Sequence, residues 1–299
     1  MGEYTWLAAG AAALAILAYI WNARTQRLGL ESMLADREKL EARSYTDLSR
    51  DYKDAVRELE KNLRGAVVIP IIHDITDKWT GRDQLPIRIS YEQAFEVAER
   101  IRSAGKRPIV VILHTLGGYA FPSEMIAQAL KNYKGRKSAY VPYVAMSGGT
   151  AIALATDEVH MGPDAALGPI DAQYHGFPAE AYARLIREKS KDNIDDATLL
   201  VSYLVEQREK DARDRAAQLV NPKHTEPRKI VDALMDGSMH HGSRISRDGA
   251  EKLGIRVVKG CPKEIYKIVD TRLRMLKKVE DKAADDDLLG QHAGPSKLT

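Results

Sequence analysis

Three uninterrupted apolar runs constrain this chain more than any other feature: AVVIPII (66–72), RPIVVILHT (107–115) and SAYVPYVAM (138–146). Each is short and largely uncharged inside, as expected of a strand buried on both faces. Helical patterns lie between them. SYEQAFEVAERIRS (90–103) is amphipathic and opens on a Ser90/Gln93 capping box, and SEMIAQALKNY (123–133) follows the second run. GGTAIALA follows the third and leads to EVHM (158–161). Further helices are predicted at 179–189, 196–220 and 225–235, and SRDGAEKLG (246–254) ends on a glycine stop. Continuous strands alternating with helices indicate an α/β domain, a parallel sheet covered on both faces.

The domain does not begin at the N-terminus. TWLAAGAAALAILAYIW (5–21) carries no charge and is close to the lower limit for spanning a bilayer, with Trp6 and Trp21 near its ends. Only Glu3 precedes it, whereas Arg24 and Arg27 follow, a bias that favours an uncleaved anchor over a signal peptide and a cytoplasmic body. The expected organisation is a membrane anchor over 1–27, a helical stalk over 28–64, a catalytic-type domain over 65–260, a C-terminal helix over 261–282 and a polar, disordered tail over 283–299. In the stalk, Tyr45, Leu48, Tyr52, Ala55 and Leu59 form a short heptad stripe, either a solvated linker helix or a coiled coil between protomers.

Composition excludes some partners. A net charge of +3 over 299 residues gives no concentrated basic face for nucleic acid, and Cys261 alone cannot form an intrachain disulfide. No Walker or dinucleotide fingerprint is present.

Sites in parallel α/β domains form at the C-terminal ends of strands. TLGGYAFPS follows the second run and SGG the third. Their glycines let backbone amides point into a cleft, Gly118 from one loop and Gly148 from the other, as in an oxyanion hole. Taken alone, Ser147 reads either as the N-cap of the following helix or as a nucleophile.

TLGGYAFPSEMIAQAL followed by VAMSGGTAIALATDEVHMGPDAALGPID resembles the Clp protease/crotonase superfamily. More closely, it resembles signal peptide peptidase A-like serine peptidases, and among them the serine dehydrogenase proteinase family. The resemblance covers roughly residues 65 to 258 and implies a Clp/crotonase-like sheet. It makes Gly117 and Gly118 part of an oxyanion loop, Gly148 the second amide and Ser147 the nucleophile. Clp-type enzymes place a histidine where this chain has LGPID (167–171); none occurs there, and His175 lies just beyond. Signal peptide peptidase A-like enzymes use a downstream lysine. Lys189 matches it, approached by Leu185 and Ile186, with Lys191 beside Asp192 the neighbouring candidate. Such a base must be desolvated to be neutral.

His224, His240 and His241 lack acidic or cysteine partners at ligand spacing, so no metal or cofactor is expected. His114 either lines the cleft or is an ordinary buried histidine. The resemblance implies a homo-oligomeric, membrane-anchored serine peptidase with a Ser147–Lys189 dyad acting on peptides or membrane-protein fragments. A crotonase-like acyl-CoA enzyme and a catalytically inactive scaffold of the same fold remain as alternatives.

Overall fold

The apolar runs form the centre of a five-stranded sheet in the computed structural model, which describes residues 42–75, 88–174, 177–190, 193–237 and 239–292. The chain divides into two units, Met1–Leu48 and Ser49–Thr299. Of the first, residues 42–48 are described; there the Ser44 hydroxyl takes the Asp47 amide at 3.1 Å and opens a helix, α1 (Tyr45–Asn62). The run at 5–21 lies outside the described residues. Among those described, no helix is long and apolar enough to cross a membrane.

In the second unit, β1 (Val67–Ile72), β2 (Ile109–His114), β3 (Lys137–Val141), β5 (Glu158–Met161) and β10 (Val257–Lys259) pair in parallel, in that order. Because side chains alternate across a strand, Val67, Ile69 and Ile71 face one core while Val68 and Ile72 face the other. Covering both faces makes the runs continuous in sequence. On the first face lie α2 (Tyr91–Ser103) and α3 (Ala120–Asn132), through Val97, Ile101, Ile126 and Leu130. On the second lies α9 (Lys263–His292), through Ile265, Ile268 and Val269, together with Ala55 and Leu59 of α1. The heptad stripe of the stalk is therefore consumed, from Tyr52 onward, by its own domain.

Three other expectations are revised. SAYVPYVAM is two strands: Pro142 has no amide to donate, β3 stops before it, and β4 (Val144–Ala145) leaves to pair with β6 (Ala166–Leu167). The last helix runs past 282 to His292, because its Ala, Leu and Gln residues favour helix and no proline interrupts them before Pro295. The capping box is half formed. Ser90 takes the Gln93 amide, but the Gln93 side-chain oxygen is directed to His73. The remaining helices fall close to expectation: α4 (Gly148–Leu154), α5 (Ala179–Glu188), α6 (Asp196–Leu219, capped by Asp195), α7 (Pro227–Met235) and α8 (Arg247–Lys252).

Two buried histidines are held neutral. Burial lowers the pKa of both His73 and His224 to about 4. The unfolded chain takes up these protons near pH 6.5 while the folded chain does not, so stability is full above that pH and falls as pH drops towards 4. Each contributes on the order of 3 kcal/mol across this window. Urea unfolding at pH 7.5 and 4.5 should show the loss, and equal midpoints would contradict it.

Candidate active site

Two isolated parallel bridges align the glycine loops. Thr115 bridges Ala145, with the Thr115 amide on Val144 O at 3.1 Å and the Met146 amide on Thr115 O at 2.9 Å. This sets the loop after β2 beside the turn after β4. Ile89 bridges Gly118: its amide donates to Gly117 O at 2.9 Å and its carbonyl accepts from Tyr119 N at 3.1 Å. In such a bridge the residue between the bonded neighbours turns its own amide away from the partner strand. The Gly118 N–H therefore faces away from Ile89. Gly117 has φ 105°, and a Cβ there would stand 2.8 Å from Ser147 Cβ and 3.1 Å from Gly148 N. Only glycine allows that approach.

Ser147 occupies the N-cap position of α4, yet its side chain makes no capping bond. Its backbone is at φ 49°, ψ −118°, a conformation that costs a non-glycine residue about 1–3 kcal/mol. A strained strand-to-helix turn of this kind presents a hydroxyl instead of folding it back onto the helix. Gly148 follows as the first residue of α4, so its amide is one of the donors that a helix start leaves without an intrahelical partner.

Gly118, Ser147 and Gly148 line one cavity of about 460 Å³, a size that suits a ligand site. Asp171 and His241 line the same cavity. His241 Nδ1 lies 2.7 Å from Asp171 Oδ1, and Gln173 Nε2 donates to the other carboxylate oxygen at 2.5 Å. Asp171 is buried and the His241 side chain is 32% exposed. The pair is assembled over long range. Asp171 lies between β6 and β7 (Gln173–Tyr174), which pairs antiparallel with β8 (Phe177–Pro178), and His241 precedes β9 (Ile245–Ser246), which pairs antiparallel with β6. With Nδ1 bonded to a carboxylate, His241 keeps its Nε2 lone pair for a proton. In the sequence His241 stands out only as a possible metal ligand, and Asp171 only as the last residue of LGPID. The available signal was an aspartate closing the apolar LGPID segment in the place where Clp-type enzymes carry their histidine.

Lys189 ends α5 and is exposed, and it is not among the residues lining the cavity. This is not the desolvated setting that a lysine base requires. Lys191 and His175 lie outside the described residues. His114 is buried against Tyr143 and does not line the cavity either. His224 accepts from the Arg256 amide at 2.9 Å, away from His240 and His241 in role. A second carboxylate in the cavity, Glu124, lies 3.4 Å from Arg215.

A family profile described as ClpP-like SDH-type serine proteinase matches residues 40–281. The chain belongs to this family. Two relatives from Methanocaldococcus jannaschii are similar to this chain. Uncharacterized protein MJ0137 is 33% identical over 220 residues, 72% of this chain and 76% of its own length. Uncharacterized protein MJ1495 is 32% identical over 221 residues, 72% and 74%. Among solved structures, ClpP1 from Listeria monocytogenes is similar at 15% identity and a TM-score of 0.43, over 68% of this chain and 97% of that one. The 1510-N membrane-bound stomatin-specific protease is similar at 19% and 0.41, over 67% and 82%. Membership in the ClpP-like proteinase family supports serine-peptidase activity, and the α/β sheet with flanking helices is the fold expected of it.

Proposed function

We propose that the chain is a serine peptidase in which Ser147 is the nucleophile and His241, oriented by Asp171, is its base. The observation that carries this reading is the shared cavity: a strained serine, two glycine amides and a carboxylate-bound histidine all line it. His241 Nε2 takes the Ser147 proton as Oγ attacks the scissile carbonyl carbon. The resulting oxyanion is held by the Gly118 and Gly148 amides. His241 then gives the proton to the leaving amine, and the acyl-enzyme is hydrolysed by a water that His241 deprotonates in turn. Asp171 stays ionised throughout and stabilises the imidazolium.

The dyad reading, with Lys189 as the base, uses the same nucleophile and the same oxyanion donors. It requires Lys189 to leave its exposed position and enter the cavity. The crotonase-like reading requires a carboxylate free to act on a thioester; Asp171 is engaged by His241 and Glu124 faces Arg215. The apolar run at 5–21 supports a single-pass anchor with the peptidase domain on the cytoplasmic side, and its position ahead of the domain supports peptides or membrane-protein fragments as substrates. Homo-oligomerisation completes the proposal.

A peptide-library cleavage assay on the full chain tests it. Wild type is expected to cut, Ser147→Ala to lose at least about 10³-fold in rate, and Lys189→Ala to stay within about threefold of wild type. Cleavage that survives in Ser147→Ala removes the peptidase mechanism. Loss in Lys189→Ala moves the base to the lysine.

A further inference from the structure

A buried chain of hydrogen bonds reaches the oxyanion loop from residues that do not line the cavity, and the steps above make no use of it. His73 directly follows β1 and is 0% exposed. Its amide donates to His114 O at 2.9 Å, which continues the β1–β2 ladder by one residue and fixes the ring beside Thr115. Both ring nitrogens are engaged: Nε2 lies 3.1 Å from Gln93 Oε1 and Nδ1 lies 2.7 Å from Thr115 Oγ1.

The proton positions follow from the partners. The Gln93 oxygen can only accept, so Nε2 carries the ring proton and Nδ1 presents a lone pair. The Thr115 hydroxyl has one proton. It goes to Nδ1 at 2.7 Å in preference to Gly117 O at 3.3 Å. The hydroxyl oxygen is left to accept the Gly117 amide, at 2.9 Å. Burial, which lowers the His73 pKa to about 4, keeps the ring in this single-proton form at neutral pH.

Thr115 thus holds two loops at once. Its backbone is bonded to Val144 and Met146, on the strand that delivers Ser147, and its side chain is bonded to Gly117, beside Gly118. We propose that His73, Thr115 and Gln93 are positioning residues for the oxyanion hole: His73 sets the Thr115 hydroxyl, which sets Gly117 and so the aim of the Gly118 amide relative to Ser147 and Gly148. This rests on the oxyanion role proposed for those two amides. It also accounts for the diversion of Gln93 from its capping box, since its side-chain oxygen is what defines the proton on His73.

The test separates turnover from binding in the full chain. Thr115→Val removes the hydroxyl at nearly constant shape, Thr115→Ser retains it, and Gln93→Ala releases the far end of the chain from a half-exposed position. Thr115→Val is expected to lower kcat about 10- to 100-fold with KM within about twofold, the size of effect that small misplacements produce. Its affinity for a peptide-aldehyde analogue of the tetrahedral intermediate should weaken by a similar factor. Thr115→Ser should return both to within about threefold of wild type. Gln93→Ala should lower kcat several-fold with KM unchanged, and it decides the matter if Thr115→Val does not fold. Wild-type kcat in both Thr115→Val and Gln93→Ala overturns the proposal, as does an equal loss in Thr115→Ser. If Ser147→Ala leaves turnover intact, the reading of the site itself has failed; if Ser147→Ala abolishes turnover and Thr115→Val does not reduce it, only the positioning role has failed.

Discussion

Replacing His241 with alanine is expected to lower kcat on a peptide substrate by about 10⁴-fold while leaving the chain folded. The side chain is one-third exposed on a loop between α7 and β9, so its removal leaves no large void in a core. What it removes is the acceptor for the Ser147 proton. A serine hydroxyl without a base is a poor nucleophile near neutral pH, and among the described residues that line the cavity His241 is the one imidazole. Asp171→Asn should fall in the same direction. The carboxamide cannot stabilise the imidazolium, and it offers an amide where Nδ1–H needs an acceptor, which favours the wrong tautomer. Because the serine and histidine act as a unit, the double variant with Ser147→Ala should be no slower than Ser147→Ala alone. Steady-state kinetics on the three variants checks this, and additive losses would separate His241 from Ser147.

The second large effect is at Gly117. An alanine Cβ would stand 2.8 Å from the Cβ of Ser147, 3.0 Å from Met146 O and 3.1 Å from Gly148 N, in a backbone conformation with φ 105°. The neighbours cannot yield cheaply, since two are backbone atoms and the third belongs to a residue already at positive φ. Two penalties combine, about 1–3 kcal/mol for the conformation and a similar amount for overpacking. The displacement falls on both oxyanion donors and on the nucleophile. Gly117→Ala should therefore lose stability by about 2–6 kcal/mol and, in the folded fraction, lose at least about 10²-fold in kcat. Chemical unfolding and kinetics on the same preparation measure both. Wild-type stability and turnover would mean that the Gly117 loop does not lie against Ser147.

The parallel sheet was legible in the sequence because both of its faces are buried, which writes each strand as an unbroken apolar run. Val67 to Ile72 and Ile109 to His114 appear in the structure within a residue or two of where the runs begin and end. Pro142 was legible in principle, as a residue that cannot continue a ladder, but its effect depends on β6 being there to receive β4. The loop of the proposed nucleophile was legible because Ser147, Gly148 and the glycine pair before Tyr119 are local patterns. The base was not. Asp171 and His241 are separated by seventy positions and meet only because β9 returns antiparallel to β6, a pairing of two residues each that leaves little periodic signal. Lys189 has the apolar approach expected of a base in the sequence, Leu185 and Ile186, yet the helix ends there and its side chain lies in solvent. His73 lies in no motif, and Thr115 opens the TLGG segment without a role that the segment assigns to it; a buried histidine becomes informative only once both of its nitrogens are seen to be engaged.

The most direct test of the central claim, that Ser147 is a nucleophile activated by His241, is covalent labelling with a fluorophosphonate followed by mass spectrometry of the digested protein. The adduct is predicted on the peptide that contains Ser147. It should be absent in Ser147→Ala, formed at least about 10²-fold more slowly in His241→Ala, and formed at the wild-type rate in Lys189→Ala. An adduct on another residue, or labelling of Ser147 that is indifferent to His241 and abolished with Lys189, would contradict the account.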